Sequence, residues 1–119
     1  MRTIIAGSRS IESYIELLKA ISKIDFKITV VISGGAHGAD KLGEKYAKRH
    51  GIPLEIYEAN WDRYGKGAGH IRNSLMADKA EALICLWDGK SNGSADIIKK
   101  ARVNNLITKV FIKGMEGEK

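Results

Sequence analysis

The chain carries one cysteine and one proline among its 119 residues. Cys85 can close no internal disulfide. Its setting in Ala82-Leu83-Ile84-Cys85-Leu86-Trp87 reads as a small core residue rather than a nucleophile. No apolar run approaches the ~20 residues that a membrane span needs. Met1-Arg2 leads straight into a strand-like run rather than a signal peptide, so a cytoplasmic protein with no membrane partner is expected. The three histidines, His37, His50 and His70, stand far apart with no cysteine or His-x-x-x-His partner, which gives a metal site little support. Acidic residues are the scarcer charge, 14 against 20 Lys and Arg, and the net charge of +6 fits an anionic partner, either a phosphorylated small molecule or nucleic acid. The cations are scattered over every predicted helix, so charge alone does not choose between them.

What the chain does have is glycine placed after strands. Thr29 to Ile32 is a short β-branched run that suits a strand buried on both faces. Ser33, Gly34, Gly35 and Gly38 break it, and a helix follows with Ala39, Leu42, Gly43, Tyr46, Ala47 and His50 as its packed stripe. Lys41, Glu44, Lys45, Lys48 and Arg49 fall on the wet face. Such a turn leaves N–H groups free at a helix N-terminus, which favours an anion there. A tight connection with no ligand explains a lone turn equally well.

The same arrangement recurs. Thr3 to Ala6 reads as a strand ending in Gly7-Ser8-Arg9-Ser10, with Ser10 as N-cap of a helix whose apolar face is Ile11, Tyr14, Ile15, Leu18 and Ile21. Gly51 and Pro53 stop the second helix, and Leu54 to Tyr57 reads as the third strand. Glu58 to Gly69 holds two aromatics, two cations and alternating glycines and is expected to be a loop able to close on a ligand, although Trp61 would also serve as a core plug. His70 to Ala80 should be a helix with Ile71, Leu75 and Met76 inward. Arg72 and Asn73 fall near its start, where a cation opposes the dipole; either an anion or plain solvation accounts for the arginine. Ala82 to Trp87 is the fourth strand. The turn from Asp88 to Ser94 enters a helix carrying Ile97, Ile98 and Ala101, and Leu106 to Ile112 is the last strand.

Strands alternating with helices over short connections predict a doubly wound parallel five-stranded α/β sheet, Rossmann-like, with helices on both faces. Residues 1–113 form one domain and 114–119 a loose tail. The turns at Gly7, Gly34-Gly35 and Gly89-Gly93 then converge on the carboxyl edge of the sheet, where a phosphate-bearing ligand is favoured over a bare connection. Two motifs fail. Gly89-Lys90-Ser91 has Ile84 where a triphosphate loop needs its leading glycine, and Gly65 to Gly69 follows no strand. Ser8, Ser33, Ser91 and Ser94 have no obvious histidine base and read as caps and phosphate donors.

Four pieces resemble the SLOG superfamily, the Rossmann-like group that joins the Smf/DprA DNA-processing proteins with the Lonely Guy phosphoribohydrolases, and above all its small YspA-like branch. They are Gly7-Ser8-Arg9, Ser33-Gly34-Gly35-Ala36-x-Gly38-Ala39-Asp40, Trp61 with Gly65 to Asn73, and Trp87-Asp88-Gly89-Lys90-Ser91-x-Gly93-Ser94. The resemblance implies a nucleotide-derived ligand, such as ADP-ribose or a nucleoside monophosphate, held or sensed by Gly7, Ser8 and Arg9, by Ser33, Gly34, Gly35, Gly38 and Asp40, by Trp61, Arg72 and Asn73, and by Trp87, Asp88, Gly89, Ser91, Gly93 and Ser94. It implies no cofactor, and by analogy a homo-oligomer. His70-x-Arg72-Asn73 and Gly93-Ser94-Ala95-Asp96 are also similar to the Lonely Guy active site, with asparagine for lysine and aspartate for glutamate. That likeness implies Arg72 and Asp96 as catalytic residues of a phosphoribohydrolase, while a first-turn acid serving the helix dipole explains Asp96 as well. Single-stranded nucleic-acid binding is the third expectation, suggested by the charge and the DNA-processing relatives.

Overall fold

In the computed structural model, which describes residues 1–113, the apolar runs form a single sheet. The tail expected at 114–119 lies outside the described residues. The strands are β1 (Arg2–Gly7), β2 (Val30–Ser33), β3 (Leu54–Ile56), β4 (Ala82–Trp87) and β5 (Ile107–Ile112), in the order β3-β2-β1-β4-β5. Every neighbouring pair is parallel, with Ile4 opposite both Ile32 and Leu83, and Gly7 opposite Leu86.

Alternation along the central strands sorts the core into two layers. Ile5, Val31, Ile84 and Leu86 point to one face, beneath α1 (Tyr14–Ile21) and α2 (Ala39–Arg49), which contribute Leu17, Ala20, Ala39, Leu42 and Ala47. Ile4, Ala6, Ile32, Leu83 and Cys85 point to the other. There α4 (Ala68–Lys79) and α5 (Asn92–Val103) bring Met76, Ile97, Ile98 and Ala101, while the one-turn α3 (Trp61–Tyr64) and a 3-10 turn at Gly65–Gly67 lead into α4. Ile4, Ile5, Leu83 and Ile84 are fully buried; each such side chain contributes about 1.5–3 kcal/mol. The architecture is the expected doubly wound, Rossmann-like one. No described helix is long and apolar enough to cross a membrane.

Several side-chain directions depart from the periodic reading. Ser10 is not a helix cap. The helix starts at Tyr14 behind Ser13, and Ile11 N–H bonds back to Ser8 O, so residues 8–13 wrap over the end of β1 and bury Ile11 ahead of the helix. That later start turns the helix: Leu17 and Ala20 face the sheet while Ile15 and Leu18 are exposed. In α4 the inward residues are Ala68, Asn73, Met76 and Ala77, and Ile71 and Leu75 are exposed. Asn73 is drawn inward by polar partners on α5, Asp96 Oδ2 and Gly93 O. Glu44, expected to be wet, is buried because Ser33 Oγ donates to its Oε2 at 2.8 Å, and His50 lies exposed beyond the helix end. The segment from Glu58 to Gly69 is largely helical rather than an irregular loop.

Candidate functional site

Strand order reverses between β1 and β4. The chain winds outward through β2 and β3, then returns by way of α4 to lay β4 on the other side of β1. A cleft of about 500 Å³ opens at the carboxyl ends of these two strands, at the topological switch point where open sheets bind ligands.

Its frame is backbone-tight. Gly7 has φ +154°, and a Cβ there would lie 1.9 Å from Leu86 O, so only glycine fits. Ser8, buried, donates its N–H to Leu86 O at 2.9 Å, accepts from Asp88 N on Oγ at 2.9 Å, and takes Ala39 N–H on its carbonyl at 3.2 Å. One residue thereby ties β1, β4 and α2 together. At Gly38 (φ +78°) a Cβ would meet the carbonyl oxygens of Ser8 and Arg9 at 2.5 Å.

The β4–α5 turn is held as firmly. Asp88 Oδ1 accepts from Lys90 N and Ser91 N at 2.8 Å each, and those two bonds hold the carboxyl below its ordinary pKa. Trp87 Nε1 donates to Ser91 O, and Ser91 Oγ caps α5 by accepting from Ser94 N at 3.4 Å. The N-terminal turn of α5 thus faces the cleft through Ser91, Gly93 and Ser94. The Ser94 side chain is buried, with its hydroxyl turned toward the Cys85 thiol rather than toward an oxygen or nitrogen partner among the described residues.

Arg72 comes from α4. It donates through Nη1 to Gly34 O and through Nε to Asn73 Oδ1 at 3.0 Å. Asn73 in turn donates to Asp96 Oδ2 at 3.0 Å. Burial lowers the Arg72 pKa; Asp40 opposes that shift and Arg9 adds to it. The Nη2 end has no acceptor among the described residues, so a fixed, charged fork is presented to the cleft. Asp40, in the first turn of α2, lines the same wall and accepts Ala36 N–H on Oδ2 at 3.1 Å. Burial pushes its carboxyl up to about 6 against the pull of that N–H and of Arg72, and Glu44 adds to the rise.

Of the residues expected at the site, Gly7, Arg9, Asp40, Trp61, Arg72, Asn73, Asp88, Ser91, Gly93 and Ser94 line the cleft together. Ser8, Gly34, Gly38, Trp87 and Gly89 support it from behind. Ser33 braces the β2 turn, accepting from Gly35 N at 3.1 Å, and Gly35 turns toward Ile56 and Glu58. Asp96 stands behind Asn73. Its oxygens accept from Lys100 Nζ at 2.7 Å and pair with His70 Nδ1 at 2.9 Å. Burial acts to raise the Asp96 pKa, and the bonds from Lys100, Asn73 and His70 outweigh it and lower it. Trp61 does not plug the core: it is 52% exposed, and its indole lies above Gly69 on the cleft rim.

Lys66, His70, Met76 and Ile97 also line the cleft, although the sequence did not mark them as site residues. Lys66 sits between glycines in the segment expected to close on a ligand, which was a usable signal. Met76 and Ile97 look like any core residue. The wall therefore combines three cations, Arg9, Lys66 and Arg72, and two acids, Asp40 and Asp88, with an indole face and a helix N-terminus, a combination suited to an anionic ligand that carries a flat ring and further polar groups.

Residues 1–64 match the family model described as YspA, cpYpsA-related SLOG family, a span that includes the turns at Gly7 and Gly34 and reaches Trp61. Over 80 residues the chain is 35% identical to the Gene 61 protein of Mycobacterium phage D29, a match that takes in 61% of this chain and 63% of that one. The match thus spans less than two thirds of that relative's length. No solved structure matches the chain. With more than half its length matched by the family model and a doubly wound parallel sheet beneath the match, the chain belongs to the YspA, cpYpsA-related SLOG family.

Proposed function

We propose that the cleft binds, and serves to sense, a nucleotide or nucleotide-derived ligand such as ADP-ribose or a nucleoside monophosphate, held by its phosphate. The observation that carries this reading is Arg72, fixed by Gly34 O and Asn73 on the wall of the same cleft that receives the N-terminus of α5. A helix dipole, the amides of a helix N-terminus and a guanidinium together support a phosphate-binding reading. The volume of about 500 Å³ accommodates a small ligand. Trp61 is placed to stack on a base, a contact worth ~1–3 kcal/mol in nucleic-acid systems.

Calorimetry with a panel of nucleoside monophosphates and ADP-ribose tests the reading. One of them should bind, and Arg72→Ala should weaken it by roughly 10- to 100-fold, the loss of a charge-assisted bond. A panel in which no nucleotide binds or raises the melting temperature at millimolar concentration would sink it.

A second reading, hydrolysis of the N-glycosidic bond of a nucleoside monophosphate, draws support from the His70–Asp96 pair. Asp96 would act by orienting His70, which lines the cleft, while Arg72 holds the phosphate. An imidazole so oriented can take a proton from the attacking water as it bonds to C1′ and pass it to the base as the C1′–N bond breaks, the ribose passing through an oxocarbenium-like state. Chromatography after long incubation should then show free base from the parent and none from Asp96→Asn. A variant as active as the parent removes this mechanism.

A further inference from the structure

Asp40 and Arg72 meet at one point of the cleft wall. A methyl group built on Gly34 would lie 2.4 Å from Arg72 Nη1 and 2.8 Å from Asp40 Oδ2, so both side chains rest on that one glycine. They are not locked together as a pair. Arg72 directs Nη1 to Gly34 O and Nε to Asn73, while Asp40 Oδ2 takes the N–H of Ala36.

The surroundings of Asp40 are short of positive charge. From β1 it meets the N–H of Gly7, from the β2–α2 turn that of Ala36, from α2 Glu44, from α4 Arg72 and from β4 the Cys85 thiol; Arg9 acts on the same Arg72. Glu44, one helical turn along, is also buried; it has its own partners in Lys41 Nζ at 3.4 Å and Ser33 Oγ at 2.8 Å, so Arg72 is the cation that acts on Asp40. Asp40 itself is 5% exposed and still lines the cleft. An anion arriving at Arg72 therefore brings further negative charge against a desolvated acid. As a carboxylate Asp40 would repel it; as a carboxyl it would donate a hydrogen bond to it.

We propose that the cleft takes up a proton together with a phosphate or sulfate group, Asp40 donating from its neutral carboxyl to an anion oxygen that Arg72 also holds. This rests on the nucleotide-binding reading and deepens it. The proton comes from solvent onto Asp40 Oδ and returns when the ligand leaves; no ligand bond is made or broken. Burial already holds Asp40 at about 6, so the field of a bound anion has a short way to carry it past neutrality. Neutral nucleosides, which bring no such field, take up no proton.

The test is calorimetry of ADP-ribose and of inorganic sulfate in buffers of different ionisation enthalpy, from about pH 5.5 to about pH 8, a range over which neither probe changes its own charge. A simple monophosphate would titrate itself, with a second pKa near ~6. The parent should take up close to one proton per ligand near pH 7, and its affinity should fall by up to about tenfold per pH unit above pH ~6. Asp40→Asn, which keeps an acceptor for Ala36 N–H and offers a permanent donor, should take up none, show a flat profile and match or exceed the parent at pH ~8. Binding by the parent without uptake, or the same uptake in the variant, overturns the role of Asp40 and leaves nucleotide binding standing. Proton release would make Asp40 an acceptor for a ligand hydroxyl and equally overturns it. No binding of either probe by either protein overturns this proposal, and the nucleotide reading then falls only if the nucleoside monophosphates of the wider panel fail as well.

Discussion

Two carboxyl groups of this domain respond to pH with opposite sign. Asp40, pushed by burial up to about 6 from an ordinary 3.8, binds its proton more tightly when folded than when unfolded. Its contribution therefore lowers stability as pH rises through that window, by up to ~3 kcal/mol once the group is fully ionised. Asp40→Asn should raise the melting temperature at pH ~7.5, and the gain should vanish near pH ~4. A gain of equal size at both pH values would mean that packing, not ionisation, separates the two proteins. Asp96 works the other way: held low by Lys100, Asn73 and His70 despite its burial, it contributes stability above its unfolded pKa that is lost as pH falls through the folded one. Little of this was legible in the sequence. Glu44 occupies a position that helical periodicity assigns to water, and its burial depends on a Ser33 hydroxyl that the strand before it supplies. Asp96 was visible as a carboxylate after a glycine turn, but not that Lys100, His70 and Asn73 would occupy it.

Among the elements, those whose residues satisfy themselves locally were the easiest to read. β4 runs from Ala82 to Trp87 as expected because a continuous apolar run flanked by turn residues has no competing solution. Helix faces were harder, because rotation is set by partners from elsewhere: the inward turn of Asn73 depends on Asp96 and Gly93 of α5, and exposes Ile71 and Leu75 in consequence. The turn after β2 shows how an element positions the site. Gly34 has no side chain, and Arg72 and Asp40 fill the space one would need. Gly34→Ala should therefore displace the guanidinium and weaken nucleotide binding by roughly the same 10- to 100-fold as Arg72→Ala. Combining the two should add little, since they remove one interaction. Full additivity in that double variant would show that Gly34 serves something other than the seat of Arg72.

At the scale of the molecule, three glycine turns after strands led to the carboxyl edge of the sheet, and the cleft lies there, between β1 and β4. What the turns did not show is that α4, on the return crossover, would supply Arg72, His70 and Asn73 as one wall. That convergence bears on the net charge of +6, which fits a small anion and a nucleic-acid strand equally well. On the proposed reading the cations facing the cleft serve one bound group. Outside it, α2 carries a basic stripe in which Lys45 and Arg49 lie over the Tyr14 ring at 4.7 Å and 5.1 Å. A mononucleotide should accordingly compete as well as an oligonucleotide, and its affinity should fall only a few-fold between about 50 and 200 mM salt. A strand neutralising many phosphates would instead show a log–log slope of about −0.7 per contact. Affinity that rose with oligonucleotide length, fell with that steeper slope and was untouched by mononucleotide would move the binding surface from the cleft to the outer basic face.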